Sequence, residues 1–427
     1  MKQALFSIFI LLSLCLSAQK NTYYEKPVLR YDDYIYQEGI KTIRFHPASD
    51  NLGLPMIRLS SGESLILTFD DLYEDFVNYN YTVIHCDANW QPSGLMKSDY
   101  LNNFQDYYIT NYDYSINAFI PYTNYKLSIP NKDINFTKSG NYILKVYRDD
   151  NEENTVFTRR FMIYETMVSA SGTVRRATQV DKMNTHQEVD FDINHSGYVI
   201  QEPYRDLKVV LLQNQRWDNA LTSLKPQFIQ NGKLTYNYDD ENTFKGLNEF
   251  RSFDTKNLQA LSQNVRRVNQ DSLYHAFIRA EAPRLISKYA VQFDINGQYV
   301  VRRLDAGDSD LEADYVDVNF LLKHPEPYRE GDVYIFGKFS DWQLLPEYKL
   351  KYDYARGAYL GNFRLKQGFY NYSYALAMDS GKINLETVEG SHWETENDYQ
   401  ILIYNREVGS RYDRLIGIGE LSSEDLY

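Results

Sequence analysis

The chain has 427 residues, a formal net charge of −13 and two cysteines, and 39 of its residues are tyrosine. Beyond residues 1–18, no apolar run reaches the ~18 residues of a membrane-spanning helix, which excludes a helical membrane protein. Abundant aromatic residues exclude a disordered chain, and the low cysteine count excludes a disulfide scaffold. At roughly 100–200 residues per domain, we expect two to four domains.

Residues 1–18 have the pattern of a secretory signal peptide. A basic N-terminus is followed by an apolar stretch over residues 4–16 and by small residues that end at Ala18. This pattern predicts export with cleavage after Ala18. Lipid attachment at Cys15 is the alternative, although Leu14 stands where a small residue is needed. After cleavage Cys86 is the only cysteine left, so no disulfide can form within the chain.

Strand patterns dominate residues 22–165. Apolar and polar residues alternate in five runs, at 64–70, 79–85, 122–129, 142–147 and 155–164. Short strands at this spacing predict one β-sandwich, the N-terminal domain.

Residues 166–307 predict a middle β domain, with strands at 187–193, 207–213, 233–238, 275–279 and 289–295. Asn296-Gly297 predicts a two-residue hairpin turn, because both positions tolerate the positive φ of a type I′ turn. The secondary structure of residues 258–268 stays undecided. Helical spacing is shown by Leu258, Leu261, Val265 and Val268, but the same residues also allow a strand that ends at Val268.

A third β domain is predicted over residues 308–408, after a small acidic linker at 306–310. Its strands are expected at 315–322, 333–337, 359–365, 368–377 and 400–404, and residues 409–427 are interpreted as a tail. The tyrosines of 370–374 are interpreted as cross-strand aromatic pairs. The predicted fold class is all-β, with tandem immunoglobulin-like β-sandwich domains after a cleaved signal peptide.

No nucleophile, phosphate-loop or zinc motif occurs in the sequence, so we expect no catalytic residues, no cofactor and no metal. His85 and Cys86 are neighbours in a predicted strand and would point to opposite faces. Acidic pairs such as Asp32-Asp33 and Asp70-Asp71 are interpreted as solvated turns. A hydrolase that uses two carboxylates, or calcium in an acidic loop, is the less favoured alternative. The acidic net charge argues against nucleic acid as a partner.

The segment 333–342, with its Gly337-x-Phe339-x-x-Trp342 turn, and the strand 368–374 resemble the early-set immunoglobulin-like modules of glycogen-active enzymes. In the glycan-binding modules tryptophans stack on sugar rings, so the resemblance implies Trp342 as a candidate glycan platform. The loop after Ala377 contains no second tryptophan. The resemblance therefore favours the fold over sugar binding, and packing is the alternative role of Trp342.

Four polar-aromatic blocks stand out at 85–93, 213–218, 248–254 and 389–399. Trp, Tyr and Arg are the residues that dominate protein interfaces. The candidate partner-interface residues drawn from these blocks are Trp90, Arg216, Trp217, Arg251, Phe253 and Trp393. The alternative is that the blocks anchor loops inside the protein.

Taken together, the blocks resemble the plug protein family of the Bacteroidetes type IX secretion system. The most specific strings are Cys-Asp-Ala-Asn-Trp from Cys86, Asn-Glu-Phe-Arg-Ser-Phe-Asp from Asn248 and Glu-Thr-Glu-Asn-Asp-Tyr from Glu394. The resemblance implies a non-catalytic periplasmic protein that binds the giant outer-membrane translocon β-barrel and seals its pore between transport events. It implies neither direct membrane insertion nor a small-molecule substrate. An envelope glycan-binding protein is the alternative function.

Overall fold

The computed structural model describes residues 23–24, 28–73, 75–102 and 107–426. The predicted signal peptide, residues 1–18, lies outside these described residues. Among the described residues, no helix is long and apolar enough to cross a membrane.

The described residues of 34–164 contain ten strands. They are β1 (Tyr34–Ile35), β2 (Ile40–Pro47), β3 (Met56–Arg58), β4 (Leu65–Asp71), β5 (Tyr79–Cys86), β6 (Tyr107–Tyr108), β7 (Asn111–Tyr114), β8 (Thr123–Ile129), β9 (Gly140–Arg148) and β10 (Thr155–Tyr164). One sheet has the order β2-β4-β8-β7 and the other β1-β10-β9-β5-β6, with β3 parallel to β10. Both sheets contribute to one apolar core, and we call this unit the first sandwich.

The rest of the chain contributes nineteen further strands among the described residues. They are β11 (Ser169–Arg176), β12 (His186–Asn194), β13 (Leu207–Gln213), β14 (Leu221–Leu224), β15 (Phe228–Gln230), β16 (Lys233–Tyr236), β17 (Thr243–Lys245), β18 (Arg251–Asp254), β19 (Val265–Gln270), β20 (Tyr274–Ile278), β21 (Tyr299–Val301), β22 (Tyr315–Lys323), β23 (Gly331–Phe336), β24 (Lys351–Asp353), β25 (Ala358–Lys366), β26 (Gly368–Met378), β27 (Ile383–Asn384), β28 (Asp398–Asn405) and β29 (Arg414–Ser422).

Helices are short. The α-helices are α1 (Lys97–Tyr100), α2 (Pro203–Asp206), α3 (Ser309–Glu312) and α4 (Glu386–Glu389), and single 3-10 turns lie at Lys338–Ser340, Pro346–Tyr348 and Ser423–Leu426. The prediction of an all-β chain built from β-sandwiches is confirmed.

The second sandwich is assembled from two distant parts of the chain. Its sheets have the orders β11-β12-β16-β15, with β17 beside β12, and β14-β13-β28-β29. The third sandwich is inserted between β17 and β28, and its sheets are β18-β26-β21, with β23 and β27 also on β26, and β19-β20-β22-β25-β24. The domain boundaries predicted after residues 165, 307 and 408 remain predictions. Only the boundary at 165 coincides with a point where the chain passes from one sandwich to another. The tail expected from 409 contains β29, which pairs with β28.

The first and second sandwiches share a buried seam. The side chains at Val209 and Leu211 of β13 enter the second core, whereas those at Val210 and Leu212 pack with Cys86 in a separate cluster. Both faces of β13 are therefore buried, which explains why its sequence is a continuous apolar run rather than an alternating one.

Tyrosines fill the cores. The largest fully buried side chains of the described residues are tyrosines, and a buried tyrosine hydroxyl group usually finds a hydrogen-bond partner. Tyr374 donates to Glu281 at 2.6 Å, and Tyr404 donates to Asn141 at 2.8 Å. Tyr370 stacks between Phe253 and Tyr299, with ring centroids 5.1 and 5.2 Å apart. This agrees with the predicted cross-strand aromatic pairs.

Two local predictions differ from the structure. Residues 289–295 form no strand, although Asn296 and Gly297 do take positive φ values of 51° and 76° in the predicted turn. The undecided stretch ends in strand β19 rather than in a helix. The strand that follows the turn, β21, pairs with β26 and not back on 289–295, so the turn closes no hairpin.

Candidate functional site

The three sandwiches meet around a central cleft of about 450 Å³. Its walls come from all three units, including Arg160 of the first, Trp217 of the second and Asp341 of the third. Of the predicted polar-aromatic blocks, 213–218 lines the cleft, and Trp90 and Phe250 from two others pack on lining residues.

A buried ion pair joins the first and third sandwiches at this cleft. Arg159 of β10 lies 3.0 Å from Asp341, and their side chains are only 5% and 12% exposed. Burial raises the pKa of Asp341, and the charge of Arg159 opposes that rise. Asp341 and Trp342 both take positive φ values in a tight turn, which aims the carboxylate at the first sandwich.

Stacked aromatic rings join the first and second sandwiches. Trp90 and Trp217 form an edge-to-face pair with centroids 5.0 Å apart. The guanidinium group of Arg160 lies over both rings, at 4.5 and 5.3 Å, which is cation–π geometry. Trp90 is buried, whereas Trp217 is half-buried.

Arg216 joins the second and third sandwiches. Its guanidinium group lies 5.2 Å from the rings of both Phe336 and Trp342, and it pairs with Asp218 at 2.7 Å. Trp342 is 5% exposed and packs on Phe250 and Phe336. Its ring therefore has no free face for a sugar, which removes the observation behind the glycan-platform hypothesis.

Arg251 and Phe253 lie inside the third sandwich. Arg251 pairs with Glu389 at 3.0 Å and with Glu281 at 3.2 Å, and Arg284 completes the network on Glu389 at 2.8 Å. Phe253 has no exposed surface. A charged network this well buried is stabilising only when every member is paired, as it is here.

Four of the six predicted interface residues are thus buried within the folded chain. They are Trp90, Arg216, Arg251 and Phe253. A partner contact through these four residues does not fit this burial, because their contact area is already used between and within sandwiches. Trp217 and Trp393 are half-buried and keep some accessible surface.

Several carboxylates that line the clefts are paired with cations, whereas Asp33 accepts from the backbone N–H of Arg160. In the central cleft Asp32, Asp218 and Asp341 pair with Arg30, Arg216 and Arg159. A second cleft, of about 1010 Å³ between the second and third sandwiches, contains Asp240 and Glu386, which pair with Lys182 and Lys245. Paired carboxylates are poor general acids and bases, because an adjacent cation stabilises the ionised form.

Among the residues that the structure describes, no group of three or more His, Cys, Asp or Glu is arranged to hold a metal ion. Cys86 is a buried free thiol, and burial raises its pKa to about 12. His85 instead bonds Ser93 at 2.9 Å and the carbonyl of Ser139 at 3.2 Å. Burial lowers the pKa of His85 to about 4, so its ring is neutral at physiological pH.

The first sandwich presents exposed aromatic residues that the sequence analysis did not single out. Tyr112, which is half-buried, and the exposed Tyr114 lie on β7, the last strand of the β2-β4-β8-β7 sheet, and the ring of Phe76 packs on Tyr112; we call these three residues the aromatic edge. Phe76 is 45% and Tyr114 54% exposed, and the rings of Phe76 and Tyr112 are 4.6 Å apart. Exposed contiguous apolar surface of this kind marks interaction sites. The tyrosine-rich run at 107–114 was the available signal.

Comparison with known proteins agrees with this architecture. Residues 40–165, the bulk of the first sandwich, match the family described as "Type 9 secretion system plug protein 1st domain". A solved structure described as a hypothetical protein from Parabacteroides merdae is 32% identical and superposes with a TM-score of 0.88. The match covers 92% of this chain and 100% of that one. None of the curated proteins compared with the chain matches it.

The fold is a set of three β-sandwiches with buried junctions between them. Residues 40–165 carry the first domain of the type 9 secretion system plug protein family.

Proposed function

We propose that the chain is a non-catalytic plug that binds the periplasmic side of the type 9 outer-membrane translocon barrel and seals its pore between transport events. The observation that carries the proposal is the match of the first sandwich to the plug domain. The family points to a role in type 9 secretion and to the cell envelope. Binding to the barrel, sealing of the pore and the periplasmic location are the steps that we add.

A seal must resist deformation, and the junctions of this protein supply that property. Each pair of sandwiches is joined by buried charged or aromatic contacts: Arg159–Asp341, Trp90–Trp217 under Arg160, and Arg216 on Trp342. Breaking any of them exposes a buried charge or a large ring, which costs far more than breaking a surface ion pair. Relative motion of the sandwiches is therefore opposed at all three contacts.

The proposed docking surface is the aromatic edge on the first sandwich. Phe76, Tyr112 and Tyr114 offer large ring area with few rotatable bonds, so their burial against a partner costs little conformational entropy. Trp217 and Trp393 remain candidate contact residues through the surface that they keep. The net charge of −13 keeps the free chain soluble before it docks.

Affinity purification tests the proposal. The tagged chain is expressed in the organism that encodes it, and outer membranes are solubilised in mild detergent before capture. We expect recovery of a very large outer-membrane barrel protein with the chain, and none with a similarly tagged, exported β-sandwich of unrelated sequence. Recovery of the intact chain without any such barrel would overturn the proposal.

A further inference from the structure

Residues 288–295 form an open segment, which runs between the Arg284 turn and the Asn296-Gly297 turn. It has no turn, no bend and no positive φ along its length, so the backbone is extended. Its sequence, Lys-Tyr-Ala-Val-Gln-Phe-Asp-Ile, alternates as a strand does. Among the described residues, however, it pairs with no strand.

The middle of the open segment has unused hydrogen-bonding groups. No hydrogen bond is found within the described residues for the backbone of Ala290, Val291, Gln292 or Phe293. Val291 is 74% and Phe293 79% exposed. A run of unpaired peptide groups with apolar side chains at alternate positions is a template for another strand.

Both ends of the open segment are held in place. Tyr289 donates to Glu249 at 2.5 Å, and Asp294 accepts from the backbone N–H of Phe250 at 2.5 Å. The N–H of Ile295 donates to Asn371 at 2.5 Å. Because the ends are fixed, little backbone entropy remains to be lost when a partner pairs with the middle.

We propose that the open segment docks an extended strand of another polypeptide, which adds to it by main-chain pairing and carries apolar side chains at alternate positions. The inference rests on the proposed function, and takes the translocon barrel as the source of that strand.

Charge selects the kind of strand. Glu396 lies beside the open segment, where its backbone N–H donates to Glu249, and it faces Glu424 and Asp398. Asn296, at the end of the segment, donates to Asp398 at 2.8 Å. The pKa of Glu396 is raised by burial and by these two acidic neighbours, so negative charge is crowded here. A partner strand with a basic residue next to its apolar positions would relieve that crowding.

Two other occupants fit less well. A second copy would bring the same acidic cluster and another net charge of −13 to the contact. A lipid bilayer would accept Val291 and Phe293 but would leave the peptide groups of 290–293 without partners, which the hydrocarbon interior strongly disfavours.

Hydrogen exchange tests the inference. The chain alone is compared with the chain bound to the detergent-solubilised translocon barrel, and peptides that cover 288–295 are followed by mass spectrometry. We expect the amides of 290–293 to exchange rapidly in the free chain and to slow at least about tenfold in the complex, as pairing of backbone N–H groups requires. If the complex forms and these amides exchange unchanged, the inference is wrong while the proposed function stands. If no complex forms, the proposed function is wrong, and the inference that rests on it is wrong with it.

Three further measurements complete the test. The Phe293→Asp and Val291→Pro variants should weaken barrel binding, whereas Tyr354→Asp, at an 82% exposed position on the third sandwich, should not. Circular dichroism checks that each variant is folded. Slowing that appears in the free chain and grows with its concentration would assign the segment to a second copy and overturn the inference. Slowing on vesicles of outer-membrane phospholipid without the barrel would assign it to a bilayer, with the same consequence.

Discussion

Lys366 and Asp70 form an ion pair of 2.7 Å across the junction of the first and third sandwiches, and neither side chain is more than 1% exposed. Tyr315 donates to the same carboxylate at 2.6 Å, and the Lys366 ammonium lies 3.9 Å from the ring centroid of Tyr122. Burial lowers the pKa of Lys366, and the charge of Asp70 opposes that change. The pair therefore joins the two sandwiches at a position that is closed to solvent.

Removal of one partner of this pair should destabilise the protein strongly. Asp70→Asn or Lys366→Met alone leaves a buried charge unpaired, and we expect a loss of about 3–5 kcal/mol in the free energy of unfolding. The double variant should lose clearly less than the sum of the two single losses. Urea unfolding of the four proteins measures the coupling. Strict additivity would show that the two groups do not interact across the junction.

A second prediction concerns pH and the carboxyl pair at the base of the open segment. Burial, together with the charge of nearby Asp294, raises the pKa of Glu249 to about 7, and burial raises that of Asp294 to about 6. The folded protein therefore holds protons that the unfolded chain has released. The stability that the folded protein gains from binding these protons is fully present below pH ~4.5, and it is lost as the pH rises through 7.

Urea unfolding at pH 5 and pH 8 tests this prediction. We expect the free energy of unfolding to fall by on the order of 4 kcal/mol between the two values, since the rise from pH 5 crosses roughly two pKa units for Glu249 and one for Asp294, and one unit corresponds to about 1.4 kcal/mol. Glu249→Gln should flatten the dependence, whereas Glu330→Gln at an exposed position should leave it as in the wild type. An equal slope in wild type and Glu249→Gln would contradict the assignment.

The role of Trp342 can be separated from sugar binding by one substitution. Because its indole is buried on Phe250 and Phe336, Trp342→Ala should cost about 3–5 kcal/mol of stability. Tyr354→Ala, at an exposed ring, should cost little. A glycan array run with wild type should give no binding; binding that disappears in a folded Trp342→Ala protein would restore the glycan-platform hypothesis.

The aromatic edge gives the prediction for docking. Phe76→Asp and Tyr114→Asp should each weaken binding to the translocon barrel by about tenfold or more, because each places a charge in a desolvated contact. Both rings are about half exposed, so the stability of the free protein should change little. Tyr354→Asp serves as the matched control on the third sandwich. Wild-type affinity in both aromatic-edge variants would place the docking surface elsewhere.

The sequence predicted the strands well where burial on one face imposes a period of two. The expected strand at 207–213 is β13 with the same bounds, and the expected run at 155–164 is β10. Local patterns could not predict that the third sandwich is inserted into the second, because pairing of β13 with β28 joins residues almost 200 positions apart. The open segment shows the reverse case, because its alternating pattern predicts a strand but it pairs with no strand of the described residues.

The candidate site was predicted less well, for a physical reason. Trp and Arg are common both at partner interfaces and at buried junctions between sandwiches. The reason is the same in both places, because large rings and planar cations gain most from desolvated contacts. Composition alone could not separate Trp90, which is buried, from an exposed ring. The aromatic edge was missed because its tyrosines alternate like core residues, and only the order of strands in the sheet shows that β7 lies at an edge.

Ion conductance measures directly whether the chain closes the translocon pore. The purified translocon barrel is reconstituted in a planar bilayer, and the chain is added to the side that corresponds to the periplasm. We expect an open conductance for the barrel alone that falls to the baseline as the chain is added, and a weaker effect with Tyr114→Asp. A chain that binds the barrel and leaves the conductance unchanged would show that it does not seal the pore.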